Sequence, residues 1–266
     1  MNKVIRICVT VPAAWVAGCT AVNSQFDRVV PALEFSKAVK LGKTDDFSIL
    51  IDTLKQWEPN TPIAAIGFSQ GANMLLKYLG EHEDTRLTCA IAVSPPFQLR
   101  VIANQIRRGI SKFYQWYLLR SLRAFYRAKF AYRQAPFDLK LLDQCYSFWQ
   151  FDDEITAKVS GFENAIDYYR QASCINYLKN ITVPTLIIHS KDDTIMTPDI
   201  IPDPEQLSSS TILELSDHGG HLGFVSGTIF KPKFWLTERI PCYLQHYLPV
   251  DINSTHVNSI EVLHEK

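Results

Sequence analysis

The 266-residue chain predicts an α/β fold, a mostly parallel sheet with helices on both faces. Two observations carry that expectation. Short, unbroken apolar runs such as IAAIGF (63–68) and TLIIHS (185–190) have the pattern of strands buried on both faces. Stretches with apolar residues at helical spacing alternate with these runs.

Taken in order, residues 1–43 read as irregular, a divergent N-terminal segment. Within them RICVTV has the composition of a buried strand. Thr44 then reads as an N-cap, with Asp45 and Asp46 in the first turn of a helix through FSILIDTLKQW. EPNTP ends that helix, IAAIGF follows as a strand, and Gln70 to Glu83 reads as the next helix. LTCAIAVS (87–94) is a second buried strand, stopped by Pro95 and Pro96. Residues 98–178 are an excursion from the sheet, long, helical and aromatic, expected to form a cap. ITVPTLIIHS and STILELS restore the strand pattern, and KPKFWLTERIPCYLQHYL closes as a helix bent or split at Pro241. The core is therefore expected over 44–250, with a loose polar tail over 251–266.

Composition narrows the function classes. The chain is 47% apolar and 20% charged with zero formal net charge, so no bulk basic character points to nucleic acid. Cysteines 8, 19, 89, 145, 174 and 242 form no CxxC pair and no Cys/His ligand spacing, which argues for reduced thiols and no metal site. No apolar run is long enough to cross a bilayer. The expected location is the cytoplasm. The alternative is export as a lipoprotein through Cys19, because Lys3 and Arg6 precede an apolar stretch ending in Val-Ala-Gly-Cys.

The chemistry-bearing motif is Gly67-Phe68-Ser69-Gln70-Gly71, set between a buried strand and a helix. Small residues at its two ends let the strand turn straight into the helix. Ser69 then projects above the carboxyl end of the sheet, and the Gln70 amide faces the same space. A serine hydroxyl is a poor nucleophile until a base takes its proton and a third group orients the base. Lys191-Asp192-Asp193 and Asp217-His218-Gly219-Gly220-His221 each follow a late strand, in the order this arrangement needs. His221 is preferred to His218 because the glycine pair lets it reach back. Asp193 is preferred to Asp192 because Asp193-Thr194-Ile195-Met196-Thr197-Pro198 looks like the turn that follows such an acid, which leaves Asp192 as a flanking charge and the lesser candidate. His82, His246, His256 and His264 read as surface or tail residues, and His189 as a satisfied core side chain.

The motifs GKTDDF, GFSQGANMLLKYLGE, VSPPF, FDDEITAKVSGFENAIDYYRQAS, PTLIIHSKDD and HGGHLGF resemble the YheT-like branch of the α/β-hydrolase superfamily, related to the ABHD proteins of the one-to-three group. The resemblance runs from about Gly42 to Leu248. It implies a serine hydrolase acting on carboxylic esters, acyl lipids included, without metal or cofactor. By position it implies Ser69 as nucleophile, Asp193 as acid, His221 as base and the Gln70 amide as an oxyanion donor. Two departures stand out. Ala72 replaces the family's second glycine before Asn73, and no His-Gly turn follows a strand ahead of Ser69. The N-terminal strands, including the one that supplies the second oxyanion amide, are therefore expected to be missing. The rival reading is an inactive hydrolase remnant that acts, if at all, as a binding protein.

Between 101 and 137, Arg107, Arg108, Lys112, Arg120, Arg123, Arg127, Lys129 and Arg133 occur with no acidic residue, interleaved with aromatics. The first reading is a cap helix pair with buried aromatics. A membrane-surface contact is compatible with it. Asp152-Asp153-Glu154 is the expected counter-charge. Oligomeric state is not legible in this pattern.

Overall fold

In a computed structural model, residues 5–9, 29–31, 41–109, 111–228 and 230–248 are described. Their main sheet has six strands, all parallel: β1 (Ile5–Val9), β2 (Val29–Pro31), β3 (Ile63–Phe68), β4 (Cys89–Val93), β5 (Thr185–Ser190) and β6 (Thr211–Ser216). Their order across the sheet is β2-β1-β3-β4-β5-β6. Helices α1 (Asp45–Trp57) and α2 (Gln70–Glu81) precede and follow β3, and α9 (Leu236–Gln245) follows the last strands.

Alternate residues of each central strand feed opposite faces, which is why the runs are apolar throughout. On β3, Ile63 and Ala65 pack with Leu50, Ile51 and Leu54 of α1 and Leu75, Leu76 and Leu79 of α2. Ala64, Ile66 and Phe68 pack on the other face with Ile240, Tyr243 and Leu244 of α9. Helices thus cover both faces of a parallel sheet, as its unpolarised strands require.

The N-terminal stretch departs from its irregular reading. β1 lies between β2 and β3, pairing Ile5 to Val9 with Ile63 to Gly67. Strands ahead of the serine are therefore present, and β1 is the strand read in RICVTV. Cys19, on which the export alternative rests, and the tail 251–266 lie outside the described residues. Among the described residues no helix is long and apolar enough to cross a membrane.

Between β4 and β5 run α3 (Leu99–Gln105), α4 (Ser111–Lys129), the short α5 (Leu141–Gln144) and α6 (Phe148–Phe151), a π-helical turn at Asp152–Thr156, α7 (Ala157–Ser160) and α8 (Ala165–Ala172). The buried positions of α4 are Ser111, Gln115, Leu119, Leu122 and Tyr126, one helical stripe.

Two local readings are corrected. KPKF is not helical: Lys231–Phe234 is strand β8, antiparallel to β7 (Val225–Thr228), and α9 starts only at Leu236. α9 continues through Pro241 as one helix; the ring removes a single backbone bond there, and Ile240, Tyr243 and Leu244 remain packed on the sheet. Thr44 holds the N-cap position of α1, but its hydroxyl donates to Glu81 Oε2 at 2.8 Å and makes no side-chain cap bond.

Candidate active site

Ser69 is the corner between β3 and α2, with φ 50 and ψ −122. A non-glycine residue there costs about 1–3 kcal/mol and persists only where its surroundings fix it. They do: the Ser69 amide donates to Val93 O at 2.9 Å, and Asn73 N donates to Ser69 O at 3.1 Å. A Cβ on Gly67 would fall 2.6 Å from Ala72 Cα, so the corner needs a glycine at 67. The Ala72 methyl is accommodated in the core against that bare backbone. Asn73 locks the start of α2 to the helical excursion, donating to Ala172 O at 2.8 Å and accepting from Cys174 N at 2.9 Å.

The three distant side chains meet at this corner. His221 Nε2 lies 2.9 Å from Ser69 Oγ, and His221 Nδ1 lies 2.7 Å from Asp193 Oδ2. Asp193 Oδ1 accepts from the Ile195 and Met196 amides, at 2.8 and 3.1 Å. Burial pushes the Asp193 carboxyl up. The charge and hydrogen bond of His221, with the Ile195 amide, outweigh it and hold the carboxyl below its usual range.

The neighbouring aspartate does something else. Asp192 Oδ1 accepts from the Gly219 and Gly220 amides, at 2.9 and 2.8 Å, and so fixes the loop that carries His221. The Gly220 amide, ahead of other contacts, holds its carboxyl low. His218 is exposed, with Nδ1 3.5 Å from Asp192 Oδ2. Ser190 Oγ donates to Gly220 O at 2.6 Å, and a Cβ on Gly219 would collide with the Phe224 ring.

Ser69 forms no side-chain cap bond, so the first-turn amides of α2, Gln70 included, keep the unsatisfied donors of a helix N-terminus. The dipole of α2 adds to their pull on developing negative charge. His189 is buried as expected but not satisfied. Neither ring nitrogen has a hydrogen-bond partner, Phe97 meets it edge-on at 5.6 Å, and burial lowers its pKa to about 4. His82 Nδ1 lies 2.9 Å from Tyr78 O and His246 is exposed; His256 and His264 lie outside the described residues. Among the described residues no His/Cys/Asp/Glu group could hold a metal.

Above the serine opens a cavity of about 130 Å³. Leu99, Ile102, Ile106, Leu118, Leu122 and Phe148 of the helical excursion form most of its wall, with Ile195 and Met196 beside Ser69 and His221. Asp152, Tyr168 and Tyr169 complete it.

The alpha/beta hydrolase fold family matches residues 35–228. The chain belongs to the α/β-hydrolase family. Within it, the chain is 41% identical over 210 residues to the Escherichia coli (strain K12) protein named "Putative esterase YheT", covering 78% of this chain and 62% of that one. It is 31% identical over 225 residues to a Danio rerio protein named monoacylglycerol lipase ABHD2, covering 76% of this chain and 52% of that one. These likenesses place it with the YheT-like branch, and it spans about half to three-fifths of both relatives. An esterase of Pyrococcus furiosus shares the fold at TM-score 0.55 and 16% identity, over 93% of this chain and 84% of that one.

Some site residues of this α/β-hydrolase were missed in the sequence. Asp152, Asp153 and Glu154 are not counter-charges to the basic segment. Asp152 is buried and accepts from Tyr169 OH, Asp153 accepts from Ala165 N, and Glu154 pairs with Lys158. Arg127 instead pairs with Asp143, and Arg123 donates to Cys145 O. The available signal was the distinctive FDD…DYYR stretch itself. Its π-helical turn, which sets Asp152 into the wall, has no mark in apolar periodicity.

Proposed function

We propose that the chain is a serine hydrolase of carboxylic esters, acyl lipids among them. The observation that carries this reading is the Ser69–His221–Asp193 hydrogen-bond chain opening into an apolar cavity. Ser69 Oγ attacks the ester carbonyl as His221 Nε2 takes its proton. Asp193 holds the Nδ1 proton and the imidazolium that forms. The Gln70 amide receives the oxyanion, and such a donor is worth roughly 100- to 1,000-fold in turnover. His221 returns the proton to the departing alcohol, leaving an acyl-enzyme. Water, deprotonated by the same imidazole, releases the acid; a second alcohol in its place gives acyl transfer by the same steps.

The relatives named esterase and monoacylglycerol lipase support the reaction class. The outer side of α4 supports a lipid surface as the source of substrate. Phe113 and Trp116 are 66% and 52% exposed, with Tyr114 and Tyr117 beside them, in a segment that carries basic and no acidic residues. Leu118 and Leu122 of the same helix line the cavity.

The test is labelling by a fluorophosphonate probe. The folded wild-type chain is expected to take one label that Ser69→Ala abolishes. A folded chain that takes none supports the inactive remnant instead.

A further inference from the structure

The reaction as written gives the oxyanion one donor, the Gln70 amide at the start of α2. A second group comes to the same helix end. Asn73, in the first turn of α2, donates to Ala172 O and accepts from Cys174 N, which fastens the end of α8 beside that turn. Tyr168 lies four residues before Ala172, so the two share one face of α8. The Tyr168 hydroxyl accordingly reaches Gln70, accepting from its Nε2 at 3.3 Å. Tyr168, Gln70, Ser69 and His221 all line one cavity.

Three properties of this hydroxyl suit it to developing negative charge. Its oxygen takes the Gln70 hydrogen, so its own proton points elsewhere, and among the described residues no acceptor receives it. The proton is also firmly held. Burial first, then Asp152 and Tyr126 nearby, raises the phenol well above its usual range. The ring, finally, is fixed in place. It is buried, meets Phe162 and Tyr169 at 5.4 Å each, and would collide with a Cβ on Gly42. A donor held this way needs no reorganisation as charge forms. A phenylalanine would fill the same space and lack the donor.

We propose that the Tyr168 hydroxyl is a catalytic group, a second oxyanion donor that acts alongside the Gln70 amide. As Ser69 Oγ bonds to the ester carbon, the carbonyl electron pair moves onto oxygen. Tyr168 donates a hydrogen bond to that oxygen and keeps its proton. When the tetrahedral adduct collapses, the charge leaves the oxygen and the hydrogen bond weakens. This role presupposes the ester-hydrolase reading. It gives the helical excursion a part in the chemistry as well as in walling the cavity.

The experiment compares wild type with Tyr168→Phe, which keeps the ring and its packing. With p-nitrophenyl hexanoate, kcat is expected to fall roughly 100-fold and KM to change by less than about twofold, as for loss of one oxyanion donor. Two ligands then separate chemistry from packing. 1,1,1-Trifluorooctan-2-one takes Ser69 Oγ at its carbonyl carbon, the proton passing to His221, and so forms a hemiketal oxyanion. Its inhibition constant is expected to rise about as much as kcat/KM falls. Octan-2-one, which does not form that adduct, is expected to inhibit both proteins alike. A kcat within about threefold of wild type overturns the proposal. So does a lower kcat with an unchanged trifluoroketone constant, or an equal weakening of both ketones, since either assigns Tyr168 to positioning or packing. A wild type that neither turns over the ester nor takes the fluorophosphonate label defeats the hydrolase reading, and this role with it. A labelled, active wild type with an unaffected Tyr168→Phe defeats this role alone.

Discussion

Asp192 and Asp193 are adjacent and both ionised, yet their surroundings assign them different work. Asp193 is buried and gives one oxygen to His221 and the other to two amides. Asp192 sits at the surface and holds the His221 loop through two amides that water can also reach. Asp193→Ala is expected to lower kcat by roughly 10,000-fold, because the imidazole loses both its orientation and its counter-charge. Asp192→Ala is expected to cost at most about tenfold, since exposed amides re-solvate cheaply. Turnover of a soluble ester by both variants checks this; equal losses would mean the loop, not the charge, is what matters. At this scale the sequence favoured Asp193 through the turn that follows it but did not close the choice, since either aspartate could follow β5. The choice depends on which carboxyl turns inward, and that is set by the Ile195 and Met196 amides. That His221 reaches Ser69 Oγ could be anticipated from Gly219 and Gly220, which permit a chain reversal ahead of it. Asp152 was not legible, since a buried carboxyl and a solvated one look alike in a run of acids.

Elements with a clear period were legible, and those that depend on partners were not. IAAIGF, TCAIAV and TLIIHS are apolar on both faces because helices cover both faces, so their strands stand out. Lys231–Phe234 is exposed and charged, and becomes a strand only by pairing with Val225–Thr228. α4 shows both kinds of signal. Its buried stripe follows the helical period, while Phe113, Tyr114, Trp116 and Tyr117 stand outside the stripe. Aromatic bodies that insert at the headgroup level, with cations that attract anionic lipid, are the composition of an interfacial helix. Sedimentation with vesicles of phosphatidylcholine, with and without phosphatidylglycerol, measures this at the scale of the helix. Ser69→Ala is expected to bind the anionic vesicles several-fold better, with the preference falling as salt is added. Phe113→Ser with Trp116→Ser is expected to weaken binding about tenfold. Indifference to lipid charge, or to the aromatic pair, would remove the lipid-surface reading of α4.

The whole molecule couples the helical excursion to the sheet through groups that differ in how they titrate. The parallel sense of the sheet followed from the strand–helix alternation, whereas the order of its strands did not. Nor did the place of β1 beside β3, because a five-residue strand is recognised by its neighbour as much as by its own residues. Asp152 lies in the wall between the excursion and the core, and its titration bears on global stability. Its folded pKa of about 7 exceeds the ordinary carboxylate value of about 3.9 in the unfolded chain. The unfolded state therefore releases the proton first as pH rises. Stability from this group is complete below pH ~4, is lost as pH climbs towards the folded value, and falls no further above it. Three units at 1.36 kcal/mol each bound the loss at about 4 kcal/mol. Asp152→Asn has no proton to lose, so its stability relative to wild type should grow between pH 4 and pH 8 by up to that amount. Asp193 acts oppositely in both proteins, since its lowered pKa contributes stability that disappears on acidification, and it cancels in the comparison. Urea unfolding of the two proteins across that range reads the difference directly. Parallel stability curves would mean that the buried carboxyl is solvated well enough to ionise normally, and would leave the cavity wall polar but uncoupled from folding.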